Sequence, residues 1–321
     1  MTSRPQPVCA YVVLSHSPAE RLVQLVQAIR RSSPKSWVLV MHDDRRNPPP
    51  AIADPRVEVH AHGLRTDWGS WALVEATLLG MRRAKELADP DLTVLISSQC
   101  HPARPLGAWE EELLAAGGWQ GEARPLSYRP RWGAAPGTGD DTATRYTHRW
   151  MRFRAVDRVL RRKRFAARAL WAVAHRTEPL VSLRMVERGA GAYLGVRRLR
   201  SPFGADRPCM FGSQWLAVDR VGLDQVLTEL APGAPLERVY RRTVIPDESA
   251  LQTVLAGHRP PVVHRTVSHR VADRVTDGRP AAPADEQLRE ILTARTPFCR
   301  KVEDLDGHDV LDRLDSLSDV R

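Results

Sequence analysis

Short apolar segments alternate with segments of helical periodicity over the first 116 residues of this 321-residue chain. Residues 9–15 form a continuous apolar run, which is typical of a strand buried on both faces of a sheet. A capping-box pattern at 17–20 then precedes apolar residues at helical spacing. The pattern predicts strands over 9–15, 37–41, 57–60 and 92–96, and helices over 18–29, 71–87 and 106–116. This order favours an α/β fold with a mixed, mostly parallel sheet and helices on both faces.

Polar residues follow the predicted strands at one edge of this sheet. Ser15 and His16 end the first strand, His42-Asp43-Asp44 ends the second, and residues 97–101 follow the fourth. In open α/β sheets, ligands bind beyond the carboxyl ends of the strands, so these residues are candidates for a ligand site. The chain contains neither GxGxxG nor GxxxxGK[ST], which excludes the usual dinucleotide and P-loop phosphate cradles.

Arginine dominates the basic residues. Lys and Arg number 48 against 38 Asp and Glu, which gives a formal net charge of +10, and only Lys35, Lys85, Lys163 and Lys301 are lysines. Arginine suits forked contacts with phosphate or carboxylate. Genome-wide base composition is an equally good explanation of the excess.

The charge is densest within residues 149–200, part of a segment (117–207) that we interpret as an arginine-rich helical insertion. One interpretation is a solvated face packed on the main domain. The other is binding of an acidic acceptor or an anionic lipid surface. No helix-turn-helix, RRM or zinc-finger pattern accompanies the charge, so a nucleic acid is not expected as a partner. The apolar face of the predicted helix comprises Val156, Val159, Leu160, Phe165, Leu170 and Trp171.

The cysteines are scattered, at Cys9, Cys100, Cys209 and Cys299, without metal-ligand spacing, so we expect reduced thiols. Residues 1–7 lack the apolar run of a signal peptide, and no run of about 18 apolar residues is present. We therefore expect a cytoplasmic protein. If the basic segment contacts lipid, the protein would lie at the inner face of the membrane as a peripheral protein.

Two short segments in the second half of the chain carry the strongest signal of a site. In Phe211-Gly212-Ser213-Gln214-Trp215, the glycine permits a close backbone approach and the Trp offers a flat apolar face. Pro246-Asp247-Glu248-Ser249 precedes an apolar-periodic stretch, which predicts both acids at a helix N-terminus. A carboxylate there could cap the helix or act as a general base. Position alone leaves both interpretations open.

Taken in order, several segments over nearly the whole chain resemble the Core-2/I-branching glycosyltransferases (glycosyltransferase family 14). This family includes β-1,6-N-acetylglucosaminyltransferases and peptide O-xylosyltransferases. Each segment is a weak signal singly, and their order makes the set specific. They are Ala10-Tyr11-Val12-Val13-Leu14-Ser15-His16, His42-Asp43-Asp44, Trp68-Gly69-Ser70-Trp71-Ala72-Leu73-Val74-Glu75-Ala76, Ser97-Ser98-Gln99-Cys100-His101-Pro102, Gly212-Ser213-Gln214-Trp215, Pro246-Asp247-Glu248-Ser249 and Phe298-Cys299-Arg300-Lys301.

The resemblance implies a GT-A-like fold, a UDP-sugar donor, and inversion at the anomeric carbon without a metal or other cofactor. By position, Glu248 would be the base that takes the proton from the acceptor hydroxyl. Lys301 would bind the departing diphosphate with Arg300 and an upstream arginine, for which Arg279 is the best candidate. Asp44 would hold the uracil or ribose, with Val12, Ser15 and His16 lining the nucleotide pocket. The sugar and acceptor would contact Trp68, Ser98, Gln99, Gly212, Ser213, Gln214, Trp215 and Asp247.

Some positions depart from the family pattern. Family members commonly have Gly where Ser98 stands and Asp where Cys100 stands, so the identity of the donor sugar is open. The disulfides and membrane anchor of secretory-pathway relatives are missing, which suits a bacterial-type member. The predicted strand that ends at Ile96 delivers no Asp-x-Asp, so fixed cations would replace the metal used by many such enzymes. A metal at Asp43-Asp44 is the alternative, and Arg300-Lys301 could instead be a charge pair at the end of a helix.

The leading hypothesis is an enzyme that moves a sugar, N-acetylglucosamine or xylose, from a UDP-sugar to a hydroxyl of a glycan or small-molecule acceptor. The alternative is a catalytically silent nucleotide- or glycan-binding module that docks to an acidic partner or membrane through its basic segment. We expect a single domain over 1–321. Its nucleotide-binding half would be 1–116, and 208–321 would be the acceptor and catalytic half.

Overall fold

The computed structural model describes residues 7–127, 142–152, 177, 180–186, 191–271, 284–301 and 308–318. In these ranges the strands are β1 Cys9–Ser15, β2 Trp37–His42, β3 Val57–Ala61, β4 Leu92–Ser97, β5 His101–Pro102, β6 Trp119–Gln120, β7 Arg124–Pro125, β8 His148–Arg152, β9 Val181–Val186, β10 Gly191–Arg197, β11 Met210–Phe211, β12 Ala217–Asp219, β13 Ser268–Arg270 and β14 Phe298–Arg300. The helices are α1 Ala19–Ser32, α2 Trp71–Ala88, α3 Leu106–Ala116, α4 Thr144–Thr147, α5 Arg220–Glu229, α6 Pro235–Tyr240, α7 Ala250–His258, α8 Ala284–Ala294 and α9 His308–Ser318.

The central sheet has the strand order β3-β2-β1-β4-β12-β6. Its first four strands are parallel, whereas β12 pairs antiparallel with both β4 and β6. All seven residues of β1 are buried, as a strand with both faces covered requires. The predicted α/β class with a mostly parallel sheet is confirmed, and the predicted strands and helices of residues 9–116 form within three residues of their expected bounds.

Helix α2 packs very closely on the sheet. A side chain at Gly80 would place its Cβ 2.6 Å from Cγ1 of Val12 and 2.8 Å from Cγ of Met41, so only glycine fits at this crossing. The close packing seats the middle of α2 directly on β1 and β2.

The predicted capping box at 17–20 is wrong. Helix α1 begins at Ala19, after Pro18, and no side chain caps it. The Ser17 hydroxyl instead lies 2.9 Å from that of Ser98, in the turn after β4. A tertiary partner across the sheet edge replaces the local one.

A small sheet, β13-β14-β5, joins the C-terminal part of the chain to the turn after β4. Strand β14 is parallel to β13 and antiparallel to β5. Arg300 is therefore the last residue of a strand, and the alternative that made Arg300-Lys301 a charge pair at a helix end is wrong.

The arginine-rich segment contains a three-stranded antiparallel sheet, in the order β8-β10-β9. Its described parts are mainly strands, with only the short helix α4, so the predicted helical character does not hold for them. The predicted helix with Val156, Val159, Leu160, Phe165, Leu170 and Trp171 lies outside the described residues, as does Arg279.

Candidate active site

A single 3₁₀ turn, Pro246–Glu248, presents the two predicted acids. Its entry residue Ile245 has φ 56° and ψ 53°, a left-handed conformation that is rare for a β-branched residue. Two hydrogen bonds hold it there: the Ile245 N–H donates to the Gly69 carbonyl at 2.9 Å, and the Tyr146 hydroxyl donates to the Ile245 carbonyl at 2.9 Å. Such over-determined strain is characteristic of functional sites. The hydrogen bond to Gly69 also brings the segment that contains Trp68 to this turn.

Glu248 forms an ion pair rather than a helix cap. Its Oε2 accepts a 2.7 Å hydrogen bond from Nη1 of Arg145, and its carboxyl-bearing side chain is 29% exposed. Helix α7 begins only at Ala250, and its N-cap residue Ser249 makes no capping hydrogen bond through its side chain. The expected helix N-terminus at Asp247 and Glu248 is therefore displaced by two residues, and Glu248 faces a cation at the protein surface.

Asp247 is buried beside it. Burial, followed by the negative charge of Glu248, raises the pKa of Asp247 from 3.8 to about 7. Its Oδ1 has no hydrogen-bond partner among the described residues. A buried acceptor without a donor is costly, so this oxygen is suited to accept a hydrogen bond from a bound hydroxyl or to carry a proton itself.

Gln252, on α7, ties the acidic turn to the Gly212–Trp215 segment. Its Nε2 donates to the Ser213 carbonyl at 2.7 Å and lies 3.4 Å from the carbonyl of Asp247. The Gly212 N–H donates to the Glu248 carbonyl at 2.9 Å. The two predicted motifs therefore form one rigid unit.

Gly212 permits the close backbone approach that the sequence predicted, but the group it approaches is the protein's own backbone at Glu122 and not a ligand. A Cβ at this position would lie 1.8 Å from the carbonyl oxygen of Glu122. No side chain fits, and the glycine is needed to pack the segment against residue 122.

Arg300 lies over Trp215, with its Cζ 5.3 Å from the ring centre. Trp215 is only 8% exposed. The flat face that was predicted to shape a sugar site is therefore covered, and the guanidinium of Arg300 stacks on it. Burial lowers the pKa of Arg300, while the negative charge of Glu248 acts in the opposite direction. Lys301 follows directly and is half-buried.

The predicted nucleotide side lies at the carboxyl ends of β1, β2 and β4. Nδ1 of His42 lies 3.3 Å from Oγ of Ser15, and its Nε2 lies 2.8 Å from the Asn47 carbonyl oxygen. The Asn47 amide donates to the His16 carbonyl at 2.8 Å. These contacts bring together the strand ends that the sequence placed on one edge.

The predicted residues differ in how they could meet a ligand. His16 and Asp44 are exposed, and Trp68 is 42% exposed. Val12 and Ser98 have no exposed surface, so they can support a pocket wall only from behind. The remaining side chains at the site, Gln99, Ser213 and Gln214, are half-buried.

In the alternative metal pair, Asp43-Asp44, the carboxylate of Asp43 is engaged by other side chains. Arg45 donates to both carboxylate oxygens of Asp43, and the Thr66 hydroxyl donates to Oδ2 at 2.7 Å. Burial opposes ionisation, but these hydrogen bonds outweigh it and lower the pKa of Asp43. A metal here would have to break this ion pair. Among the described residues, no three His, Cys, Asp or Glu side chains cluster as metal ligands do.

Cys100, where the family has Asp, is fully buried, and its Sγ lies 3.3 Å from Oγ of Ser268. It faces β13 rather than solvent. Cys9, Cys100, Cys209 and Cys299 are all free and buried. In the described parts of the chain, no helix is both long and apolar enough to cross a bilayer.

Two functional candidates were not predicted from the sequence, namely Arg145 and Gln252. Arg145 is one arginine of many in a basic segment, 103 residues from Glu248, and nothing local distinguishes it. Gln252 lies four residues after Glu248 within an otherwise apolar helix face, and a lone buried amide there was a usable signal.

No family model matches the chain, and no curated protein matches it. Among solved structures, the apo WbbM bifunctional glycosyltransferase is similar to it at 12% identity with a TM-score of 0.44. The alignment covers 98% of this chain and 51% of that one, so the chain spans about half the length of that structure. A likeness at this level identifies neither a family nor an activity.

Proposed function

We propose that this protein is a glycosyltransferase that moves a sugar from a UDP-sugar to an acceptor hydroxyl, with inversion and without a metal. One observation carries the proposal: an acid on a strained turn, Glu248, shares one rigid unit with Trp215 and the guanidinium of Arg300 that lies over it. Inverting transfer needs a base on the acceptor side and positive charge on the leaving-group side.

The reaction assigns a role to each group. The acceptor oxygen attacks the anomeric carbon and forms the new C–O bond while its proton passes to Glu248. The bond between the anomeric carbon and the diphosphate oxygen breaks, and its electron pair leaves with UDP. Arg300 and Lys301 compensate the charge that develops on the diphosphate. Asp247 supplies a buried oxygen for a hydroxyl of the sugar or acceptor.

The donor sugar and the acceptor are proposed only as chemical classes. N-acetylglucosamine and xylose are the donor sugars that the family resemblance implies, and the acceptor is a glycan or a small molecule with a hydroxyl. UDP would sit at the edge formed by Ser15, His16 and Asp44.

A thermal-shift panel of nucleoside diphosphates and UDP-sugars, followed by transfer of labelled sugar to a set of acceptors, tests the proposal. A ligand that binds the native state raises its melting temperature. We expect UDP and one UDP-sugar to stabilise the protein, and EDTA to leave transfer unchanged. Loss of transfer in EDTA that manganese restores would refute the fixed-cation mechanism.

A second candidate function, a catalytically silent binding module, is favoured by the Glu248–Arg145 ion pair, because the pair occupies the carboxylate that would act as base. Binding of UDP-sugar without hydrolysis or transfer across the acceptor set would support this function over the enzyme.

A further inference from the structure

Two arginines lie side by side on one face of the β8-β10-β9 sheet. Arg149 is opposite Val196 in the β8–β10 register, so their side chains share a face. Arg198, two residues after Val196, belongs to the same face, and its N–H continues the pairing by donating to the Thr147 carbonyl at 3.1 Å. Arg149 and Arg198 are therefore diagonal neighbours, a relation that places residues on the order of 7–8 Å apart.

A third arginine, Arg242, flanks the other edge of β8. The Trp150 N–H donates to the Arg242 carbonyl at 2.9 Å, directly after Arg149. Nη2 of Arg198 donates to the Val239 carbonyl at 3.0 Å, so this side chain reaches toward the segment that contains Arg242. The three arginines meet where β8, β10 and the end of α6 come together. We call Arg149, Arg198 and Arg242 the arginine cluster.

No acid accompanies the arginine cluster. The described segments that build this junction contain no aspartate or glutamate, namely 142–152, 191–200 and 238–244. Arg149 and Arg242 are exposed, and neither forms an ion pair or a side-chain hydrogen bond with another described residue. Burial, followed by the positive charges of Arg149 and Arg242, lowers the pKa of Arg198. The three cations therefore repel one another without a counter-ion from these segments.

Arg198 is half-buried, and the protein satisfies its guanidinium only in part. An arginine near the end of a helix can bond to the last carbonyls, and the Val239 carbonyl, in the last turn of α6, accounts for one N–H. The buried Nε has no hydrogen-bond partner among the described residues. Glu237, the nearest acid in α6, is already paired with Arg241. Because a partly buried charge without a partner is costly, the arginine cluster favours an anion from outside these segments.

We propose that the arginine cluster binds a terminal phosphate group, carried by a small molecule or a glycan. A tetrahedral phosphate offers three oxygens, one to each guanidinium, whereas a carboxylate offers two. A bilayer surface fits less well, because Arg198 is half-buried at the junction while Arg149 and Arg242 are exposed. The phosphate site is independent of the transferase activity and of the diphosphate role given to Arg300.

Isothermal titration with inorganic phosphate at physiological ionic strength tests the proposal. We expect wild type to bind phosphate, sulfate to compete, and Arg149→Gln/Arg242→Gln to raise Kd by at least about tenfold, because it removes two charge-assisted contacts. Both side chains are exposed, so the fold should be retained, which circular dichroism would verify. Arg198→Lys keeps the charge but removes the forked geometry, and it should raise Kd by a smaller factor.

Matched controls separate the arginine cluster from net charge and from the donor site. Arg265→Gln/Arg313→Gln makes the same change of charge at two exposed arginines elsewhere and should bind phosphate as wild type does. Arg300→Gln should also retain phosphate binding, because Arg300 lies over Trp215 and not in the cluster. Glycerol phosphate should bind as inorganic phosphate does. Vesicles that contain phosphatidic acid should recruit wild type no better than Arg149→Gln/Arg242→Gln.

Three outcomes would overturn the proposal. The first is no phosphate binding to wild type, or binding that only Arg300→Gln removes. The second is an equal rise in Kd in Arg149→Gln/Arg242→Gln and Arg265→Gln/Arg313→Gln, which would indicate attraction by net charge alone. The third is recruitment to phosphatidic acid vesicles that Arg149→Gln/Arg242→Gln abolishes while neither free phosphate nor glycerol phosphate binds, which would assign the cluster to a membrane surface.

Discussion

Nη1 of Arg145 donates a 2.7 Å hydrogen bond to Oε2 of Glu248, across 103 residues of sequence. The guanidinium holds one carboxylate oxygen and leaves the other available. The side chains are 18% and 29% exposed, so solvent only partly screens the pair. We infer that Arg145 is a positioning residue, which fixes the carboxylate until an acceptor hydroxyl arrives.

Replacement of Arg145 by Met should lower kcat by roughly 10- to 100-fold while the affinity for UDP stays unchanged, because a misplaced base slows the chemical step. Arg145→Lys should recover part of the rate. Arg124→Met is the matched control: Arg124 also lies over the Phe211 ring, at 4.6 Å against 5.9 Å for Arg145. Equal loss in both variants would show that ring stacking, and not the ion pair, matters.

Asp247 should make stability depend on pH. Its pKa rises from 3.8 to about 7 on folding, so the folded state holds a proton that the unfolded state releases. The contribution of this proton to the free energy of unfolding is therefore fully present below about pH 4 and is lost as pH rises to about 7. Asp247→Asn lacks this titration, so its stability relative to wild type should increase over that window by an amount on the order of 4 kcal/mol.

Urea unfolding of both proteins at pH 5 and pH 8 measures this effect. A difference in unfolding free energy that is the same at both pH values would contradict the buried, protonated state of Asp247.

Gly212→Ala should be strongly destabilising, because the new Cβ would overlap the Glu122 carbonyl oxygen at 1.8 Å. Overpacking typically costs about 1–3 kcal/mol, and contact with backbone puts this site at the upper end. Gly107→Ala, in α3, is the control. The new Cβ would lie 3.8 Å from its nearest atom, the Ser32 carbonyl oxygen, and the change should stabilise the protein by up to about 1 kcal/mol. Similar melting temperatures for the two variants would rule out the close approach at Gly212.

Arg300→Gln should weaken UDP binding and slow transfer, because it removes a guanidinium assigned to the diphosphate. Isothermal titration with UDP measures the first effect. Arg265→Gln removes an exposed arginine from the same half of the chain and should change neither quantity. UDP affinity equal to that of wild type in Arg300→Gln would remove Arg300 from the donor site.

The sequence predicted those parts of the molecule that local patterns determine. Strands β1–β4 and helices α1–α3 follow from continuous apolar runs and helical periodicity, since burial dictates both. The gathering of Ser15 and His42 at one edge follows from parallel strand geometry. These features need no knowledge of distant partners.

The contacts that organise the site depend on such partners. Ser17 pairs with Ser98 instead of capping α1, and Gly212 is required by the carbonyl of Glu122. Trp150 of the arginine-rich segment packs against Ile245, a contact that the local charge pattern does not reveal. Each is a choice between local and tertiary interactions, and tertiary packing decides it.

The role of Glu248 as the general base is tested most directly by the rate of sugar transfer by Glu248→Gln, measured beside its affinity for UDP. We expect unchanged UDP affinity and a loss of about 10²- to 10⁴-fold in kcat, because the variant keeps the shape of the site but cannot accept the proton. Glu122→Gln, the same change at an exposed residue that contacts Gly212, should transfer normally. A Glu248→Gln enzyme that transfers sugar at the wild-type rate would show that Glu248 is not the base.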